Sequence, residues 1–453
     1  AVTRKETREN LQKLQLACEL SKLIRHYFPD LVPLLKKLPD PRNQSYITYP
    51  SAVLLMTRIL SSIFYISSMR KTSEEFNSDL MIENIWELCA EEETVRELPY
   101  WETINRYLEK LEPESLQEVI WKLVYRLLRS KAFQGARIGE KHWQIILDGT
   151  QLHSSRKPLD PKCMYRIHHK GKPEEYRENY YYVLEAKLVL HPKIVVSIMT
   201  EFVENDGKEM DKQDCERKAG VRLMEKLKKQ FPRLNICLCA DSLYACEPFF
   251  RKCGEYRWQY LIRFKEGSIP TVGKEYRKLK DLEKNRKETK IKNGRYWYDY
   301  VNEIDYNGCK INLMEYGEEL KRTIKRGMCK IEREEKKSFC FLTSLPVRKK
   351  NVCDLVEKGR MRWKIENEGF NTQKNQGYYL KHLFSKNYQG IKNHYYLIQI
   401  GHMIAQIMET WGRLWEGMHL SMEQKHQKIL ESFQAIRLKE YIGIKKNIQI
   451  RLQ

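Results

Sequence analysis

The chain has 453 residues, enough for two or three domains of ordinary size and a large core. Lys and Arg total 82 against 60 Asp and Glu, a formal charge of +22, which points to a polyanionic partner, nucleic acid first. The longest apolar run, 52–66, is interrupted by Arg58 and falls short of the ~20 residues a spanning helix needs, so it reads as a buried core helix with no membrane role.

The 12 cysteines have no regular spacing. The one close set, Cys237, Cys239, Cys246 and Cys253, does not fit the paired turns of a zinc knuckle and reads as buried thiols in a reducing compartment. The first residues, Ala1 to Lys5, carry charge rather than the marks of a signal peptide.

Residues 1–140 read as helical throughout. Leu11, Leu14, Leu16, Leu20, Leu23 and Ile24 recur at helical spacing, and Pro39 and Pro41 break the run. Further helices are expected from Pro50, through 81–89, from 99–103, and from Pro113 to near Lys131. Such a block suits DNA binding or dimerisation.

The texture changes at Lys141. Trp143 to Thr150 reads as a buried strand ending in Asp148-Gly149-Thr150. A loop rich in Lys, Arg and His follows, then two antiparallel strands, 180–190 and 193–202. A helix is expected over 212–230, a strand over 235–240 ending at Asp241, a short helix over 247–253, and a strand over 258–264. A meander followed by alternating helices and strands is an α/β layer pattern.

Residues 266–346 read as a basic, β-rich insertion. Strands over 295–304 and 310–316 flank Asn307-Gly308, a hairpin turn signal. Tyr296, Trp297, Tyr298 and Tyr300 interleave with Lys292 and Arg295, a composition suited to DNA contact because bases stack on aromatic faces. Residues 347–410 return to the α/β core, and 411–453 read as helical, with Trp411 and Trp415 in one apolar patch.

The stretch from Gly359 to His382 carries Arg362, Trp363, Glu366, Glu368, Phe370 and Lys374. On an α-helix, Arg362 and Glu366 share one face, and Trp363 and Phe370 share another, apolar one. An ordinary amphipathic helix with a surface Arg–Glu pair would look the same. The distinguishing signal is upstream. Asp148 and Asp241 each end an apolar strand, where an acid can reach a cleft without being buried unpaired. Hard oxygen donors without His or Cys suit Mg²⁺ or Mn²⁺. Two such ions can activate a water or a 3′-hydroxyl and stabilise the leaving oxygen of a phosphodiester. Asp148 would bridge the ions, with Asp241 on one and Glu366 on the other.

Three segments, ILDGT at 146–150, ADSLYA at 240–245 and RWKIENEGFNTQK at 362–374, together resemble the DDE transposases of bacterial insertion sequences. The last is similar to their tyrosine–arginine–glutamate–lysine signature, and the resemblance covers about residues 140–400. It implies a ribonuclease-H-like mixed sheet flanked by helices, interrupted by the β-rich insertion, behind an all-helical N-terminal region. The core would comprise 141–265 and 347–410, with 266–346 as the insertion and 411–453 as a helical C-terminal region.

The resemblance implies that Asp148, Asp241 and Glu366 are catalytic metal ligands for two Mg²⁺ or Mn²⁺ ions. Arg362 would contact DNA phosphate, with Lys374, Trp297, Arg295 and Lys292 as further DNA contacts. Trp297, or failing it Trp258, would stack an extruded base. Two positions depart from the signature: Gly359 stands where its tyrosine would fall, and Gln373 where its lysine would, with Lys374 one residue late. Glu368 is accordingly a rival to Glu366. The implied function is cleavage of transposon ends at inverted repeats and joining of their 3′-hydroxyls to target DNA. The enzyme would act as a homodimer in the DNA complex of a cytoplasmic, nucleoid-associated bacterial protein. A transposase-derived DNA-binding protein and a stand-alone nuclease of the same fold are the rivals.

Overall fold

The computed structural model describes residues 4–92, 95, 97–205, 212–326, 329–415 and 418–441; within these, the side chains of 4–14, 212–215, 322–326, 329–333, 365–366, 412–413 and 441 lie outside the description. The expected helical tail beyond 441 is therefore outside the described residues, as are the side chains of Leu11 and Leu14.

The N-terminal helices are α1 (Arg4–Tyr27), α2 (Leu31–Lys36), α3 (Ser51–Ile63), α4 (Met69–Glu75), α5 (Asp79–Leu88), α6 (Trp101–Leu108) and α7 (Pro113–Arg129). Local chemistry sets their starts. The Ser68 and Ser78 side chains accept the N–H groups of Lys71 and Met81, and Pro113 opens α7, where no N–H is needed. α3 is the expected core helix, buried at every position from Ala52 to Ile63. Arg58 is buried with it, bonded to His394, Ser61 and Ser62 and lying over the Phe384 ring.

Among the described residues ten strands form one sheet: β1 (Trp143–Ser155), β2 (Met164–His168), β3 (Tyr176–His191), β4 (Ile194–Val203), β5 (Ile236–Ala240), β6 (Gln259–Phe264), β7 (Arg286–Ile291), β8 (Gly294–Tyr306), β9 (Cys309–Arg326) and β10 (Cys329–Thr343). The core order is β4-β3-β1-β5-β6, with β3 antiparallel to β4 and β1, and β1, β5 and β6 mutually parallel. That is the ribonuclease-H-like order of an antiparallel meander joined to parallel strands. α8 (Lys212–Gln230) makes the crossover from β4 to β5, and α9 (Glu247–Tyr256) the one from β5 to β6.

Three expectations need correction. β1 does not end at Thr150: its antiparallel pairing with β3 continues to Ser155, whereas its parallel pairing with β5 stops at Ile146. Asp148 therefore lies within a strand, just past the point where β5 parts from it. The basic loop contains β2, which pairs with β3 and lacks the apolar alternation that would announce a strand. The insertion opens with α10 (Pro270–Glu283), and its strands continue the core sheet, β10 pairing with β6 and then β9, β8 and β7 in turn. Asn307 and Gly308 make the expected hairpin turn, with φ of 52° and 78°.

β4 forms an outer strand, and helices supply partners for its backbone: Thr200 N–H donates to Gln117 Oε1 of α7 at 2.9 Å. Beyond the sheet come α11 (Val352–Arg360), a 3₁₀ turn (Met361–Trp363), a π-helical segment (Ile365–Asn371), α12 (Thr372–Asn375), the long buried α13 (Tyr388–Glu409), α14 (Gly412–Trp415), α15 (Met422–Ala435) and α16 (Leu438–Tyr441). One apolar cluster joins the N-terminal helices, one sheet face and α13; a second joins Ile146, Cys237, Cys239 and Leu261 to α11 and Phe370. The described cysteines are free thiols, and Cys237 and Cys239 are fully buried on one face as expected.

Candidate active site

Asp148 and Asp241 come from neighbouring parallel strands of the core. Asp148 Oδ1 accepts the N–H of Gly149, and Asp241 Oδ1 accepts that of Leu243 to cap a short 3₁₀ turn, both at 2.9 Å. Tyr244, in that turn, is buried and feels the charges of Glu216, Asp241 and Asp148 together. The last β1–β5 pair is Ile146 with Cys239, so the two aspartates each stand two residues beyond it along adjacent strands. Burial first, then those charges, push the Tyr244 pKa well up, so it stays a neutral donor. Among the described residues its hydroxyl has no hydrogen-bond partner.

Glu216 was not singled out from sequence. It is on α8, nearly buried, and accepts from Tyr182 Oη at 2.7 Å. Its signal was weak, because it sits in a helix whose exposed face is dense with charge. Gly149 leaves room for this contact: a Cβ there would lie 2.1 Å from Tyr182 Oη.

Arg362 reaches the same place. Its Nη1 is 3.3 Å from Asp148 Oδ2, with both side chains about four-fifths buried. Glu366 lies on the π-helical segment, four residues on; its side chain is outside the described residues. Glu368 pairs with Lys364 at 3.2 Å.

The expected shared apolar face of Trp363 and Phe370 is not formed. Phe370 is buried at 5 % exposure and Trp363 stands 47 % exposed. The expectation assumed 3.6 residues per turn, but the chain winds tightly through the 3₁₀ turn and then widely through the π segment, so faces do not repeat every seven residues.

The signature departures have structural reasons. At Gly359 a Cβ would lie 2.7 Å from the Phe341 ring, so Phe341 of β10 fills the space a tyrosine would need. Gln373 is fully buried and bonded to Gln399, a position for an amide rather than a DNA-contacting lysine. Lys374, half-buried, lines a cleft of about 610 Å³ with Tyr65, Lys71 and Tyr379.

In the insertion, Trp297 packs over Gly317, flanked by Arg286 and Arg295. Arg295 is exposed and paired with Glu319 at 2.8 Å, and Lys292 is exposed in the turn between β7 and β8. Trp258 is buried at 3 % exposure, edge-on to Tyr256. Tyr296 and Tyr298, on the strand face opposite Trp297, line a 490 Å³ pocket with Tyr316, Arg360, Trp363 and Lys364.

The donor chemistry of Asp148 and Asp241 fits a hard divalent cation. Among the described residues, which exclude the Glu366 side chain, no three His, Cys, Asp or Glu are grouped to hold a metal ion. No described helix is long and apolar enough to cross a membrane.

Fold and site together define a ribonuclease-H-like core with one aspartate on β1, one at the end of β5, and an arginine from a later 3₁₀ turn paired to the first. The family model described as "Transposase DDE domain" matches residues 139–404, more than half of the chain, and the chain belongs to that family. No curated protein matches it. Among solved structures it is similar to a piggyBac transposase synaptic complex with hairpin DNA, with 11 % identity and a TM-score of 0.41, covering 94 % of this chain and 82 % of that one.

Proposed function

We propose that this transposase cleaves DNA at inverted repeats and joins the freed 3′-hydroxyls to a target, by metal-dependent phosphodiester chemistry. The observation that carries the reading is that Asp148 and Asp241 each stand two residues beyond the last β1–β5 pair, with Arg362 paired to Asp148, inside the DDE domain. Asp148 and Asp241, with Glu366 as third donor, would hold Mg²⁺ or Mn²⁺, which when bound would acidify a water or 3′-hydroxyl and stabilise the leaving oxygen.

Arg362 pairs with Asp148 in the free protein and would exchange that partner for a phosphate beside the scissile bond. The formal charge of +22 supports long-range attraction to duplex DNA, which Lys292, Arg295 and Lys374 would meet locally. Homodimerisation in the DNA complex belongs to the same reading. If a base is extruded during a hairpin step, the pocket of Tyr296, Tyr298, Tyr316 and Trp363 offers stacking faces on the side of the sheet that Trp297 does not occupy.

The test uses end-labelled fragments carrying the inverted repeats that flank this gene, incubated with protein and Mg²⁺ beside Asp148→Ala. Breaks at the repeat ends, absent in the variant, with label transferred into a target plasmid, are the expected result. Cleavage without joining would make the protein a nuclease. Retarded but uncut fragments would make it a DNA-binding derivative.

A further inference from the structure

Gln406 lies on α13 with both ends of its buried amide committed. Its Oε1 accepts the backbone N–H of Val195 at 2.8 Å, and its Nε2 donates to the carbonyl of Glu368 at 3.1 Å. The Val195 N–H needs an acceptor and the Glu368 carbonyl a donor, so the two bonds together fix the orientation of the amide. The remaining hydrogen on Nε2 faces His402 Nε2 at 2.9 Å. Burial, then the charges of Lys187 and His426, hold the His402 pKa well below its usual value, so the ring is neutral and has one acceptor nitrogen, which its tautomer gives either to Gln406 or to Gln373 Nε2, 2.8 Å from Nδ1.

The two backbone groups that Gln406 joins are far apart in role. Val195 belongs to β4, at the outer side of the core sheet. Glu368 belongs to the π-helical segment, two residues after Glu366. A π turn opens the regular ladder of helix bonds, and such turns hold their shape only when neighbours bond the groups they set loose. Here the neighbour at Glu368 is Gln406, while Thr372 Oγ1 donates to the Asn367 carbonyl at 2.7 Å.

Lys187 of the sheet ties in both this segment and α12 after it. Lys187 of β3 sits 5.4 Å from the Phe370 ring centroid and donates to Gln399 Oε1 at 2.8 Å. Gln373 Nε2 donates to that same oxygen, also at 2.8 Å. Apolar side chains would fill this interior as well without dictating its register. A buried polar network costs desolvation and gives in return one permitted arrangement.

We infer that Gln406 is a positioning residue: it locks the wide turn carrying Glu366 to the sheet that carries Asp148, and so sets the backbone from which the third carboxylate is presented to the metal. The inference rests on the metal-dependent reading above for its purpose, and on the hydrogen bonds alone for its mechanics.

The experiment compares Gln406→Met with Asn393→Leu in the full chain. Asn393 is also buried on α13, but it donates to the Leu108 and Leu111 carbonyls of the N-terminal helices, away from the π segment. Amide hydrogen exchange is followed by mass spectrometry, and Mn²⁺ binding without DNA by electron paramagnetic resonance. Q406M is expected to speed exchange across 366–373 by about tenfold, and to weaken Mn²⁺ binding by about 10–100-fold, the loss typical when a partner of a ligand is removed. N393L is expected to lower the thermal midpoint while leaving both readouts near wild type. If Q406M does not fold, Q406A replaces it: without the amide it offers neither an acceptor to Val195 nor a donor to Glu368.

Unchanged exchange over 366–373, or an equal rise in both variants, would overturn the inference. Faster exchange with unaltered Mn²⁺ affinity would also overturn it, because the lock would then be structural only. Failure of the wild-type protein to bind Mn²⁺ would remove the metal-dependent reading and the stated purpose of the lock, while the exchange data would still decide its mechanics.

Discussion

Arg362 Nη1 stands 3.3 Å from Asp148 Oδ2 across 214 residues of sequence. The pair brings the 3₁₀ turn after α11 onto β1 and places a cation where a divalent ion would later compete. Arg362→Ala should therefore destabilise the metal-free protein by about 1 kcal/mol, since the pair is partly exposed and partly screened. Added Mg²⁺ should raise the melting temperature of the variant by more than that of the wild type. Equal Mg²⁺ responses in calorimetry would mean that the arginine and the ion do not share a site.

The choice between Glu366 and Glu368 is testable by removing charge without changing shape. Asp148→Asn, Asp241→Asn and Glu366→Gln should each lower strand cleavage by more than about 100-fold, beyond the loss seen for mere partners of ligands. Glu368→Gln, which gives up only its pairing with Lys364, should stay within a few-fold of wild type. Gel-shift affinity for the same fragments should be retained in all four. The reverse ranking of the two glutamate variants would exchange their roles.

Gly359→Tyr, which would restore the family's signature tyrosine, should not be tolerated. Its Cβ alone would press on the Phe341 ring, and the expected cost is about 1–3 kcal/mol of overpacking. Urea unfolding measures this. Phe341→Ala in the same chain should recover part of the loss if the two side chains compete for one space.

The β2–β3 hairpin carries a pH-dependent contribution. Glu178 is held at about 2, first by a hydrogen bond from Arg166 and then by those from His168 and Ser154. A carboxyl lowered on folding from about 4.5 stabilises the fold fully above pH 4.5, and that contribution fades as pH falls from 4.5 through 2. Glu178→Gln should thus melt lower than wild type at pH 6, with the gap closing toward pH 2. A gap independent of pH would place the loss in packing instead.

Much of this architecture is legible from local pattern. The apolar runs ending at Asp148 and Asp241, the Asn307-Gly308 hairpin and the proline that opens α7 are each set by a few neighbouring residues. The meeting of the aspartates depends on the parallel pairing of β1 with β5, which no local window encodes. The faces of 359–382 do not follow from periodicity, which assumes one helical pitch, because this segment uses a 3₁₀ turn followed by a π segment. Glu185 and Lys187 left a signal, two charges inside an otherwise apolar strand, and the structure buries both completely. Their partners on α13, Tyr395 and Gln399, fall within a helix that is buried on every side, where no polar face marks them out in the sequence.

The bond from Thr200 to Gln117 has a consequence for how the gene can be cut up. An outer strand with bare N–H groups is a template for copies of itself, and β4 avoids that fate by borrowing an amide from α7 and another from α13. The helices ahead of the sheet therefore insulate it from polymerisation. A fragment begun at residue 141 would expose the Thr200 group and be prone to form ribbons through β4, however complete its catalytic residues.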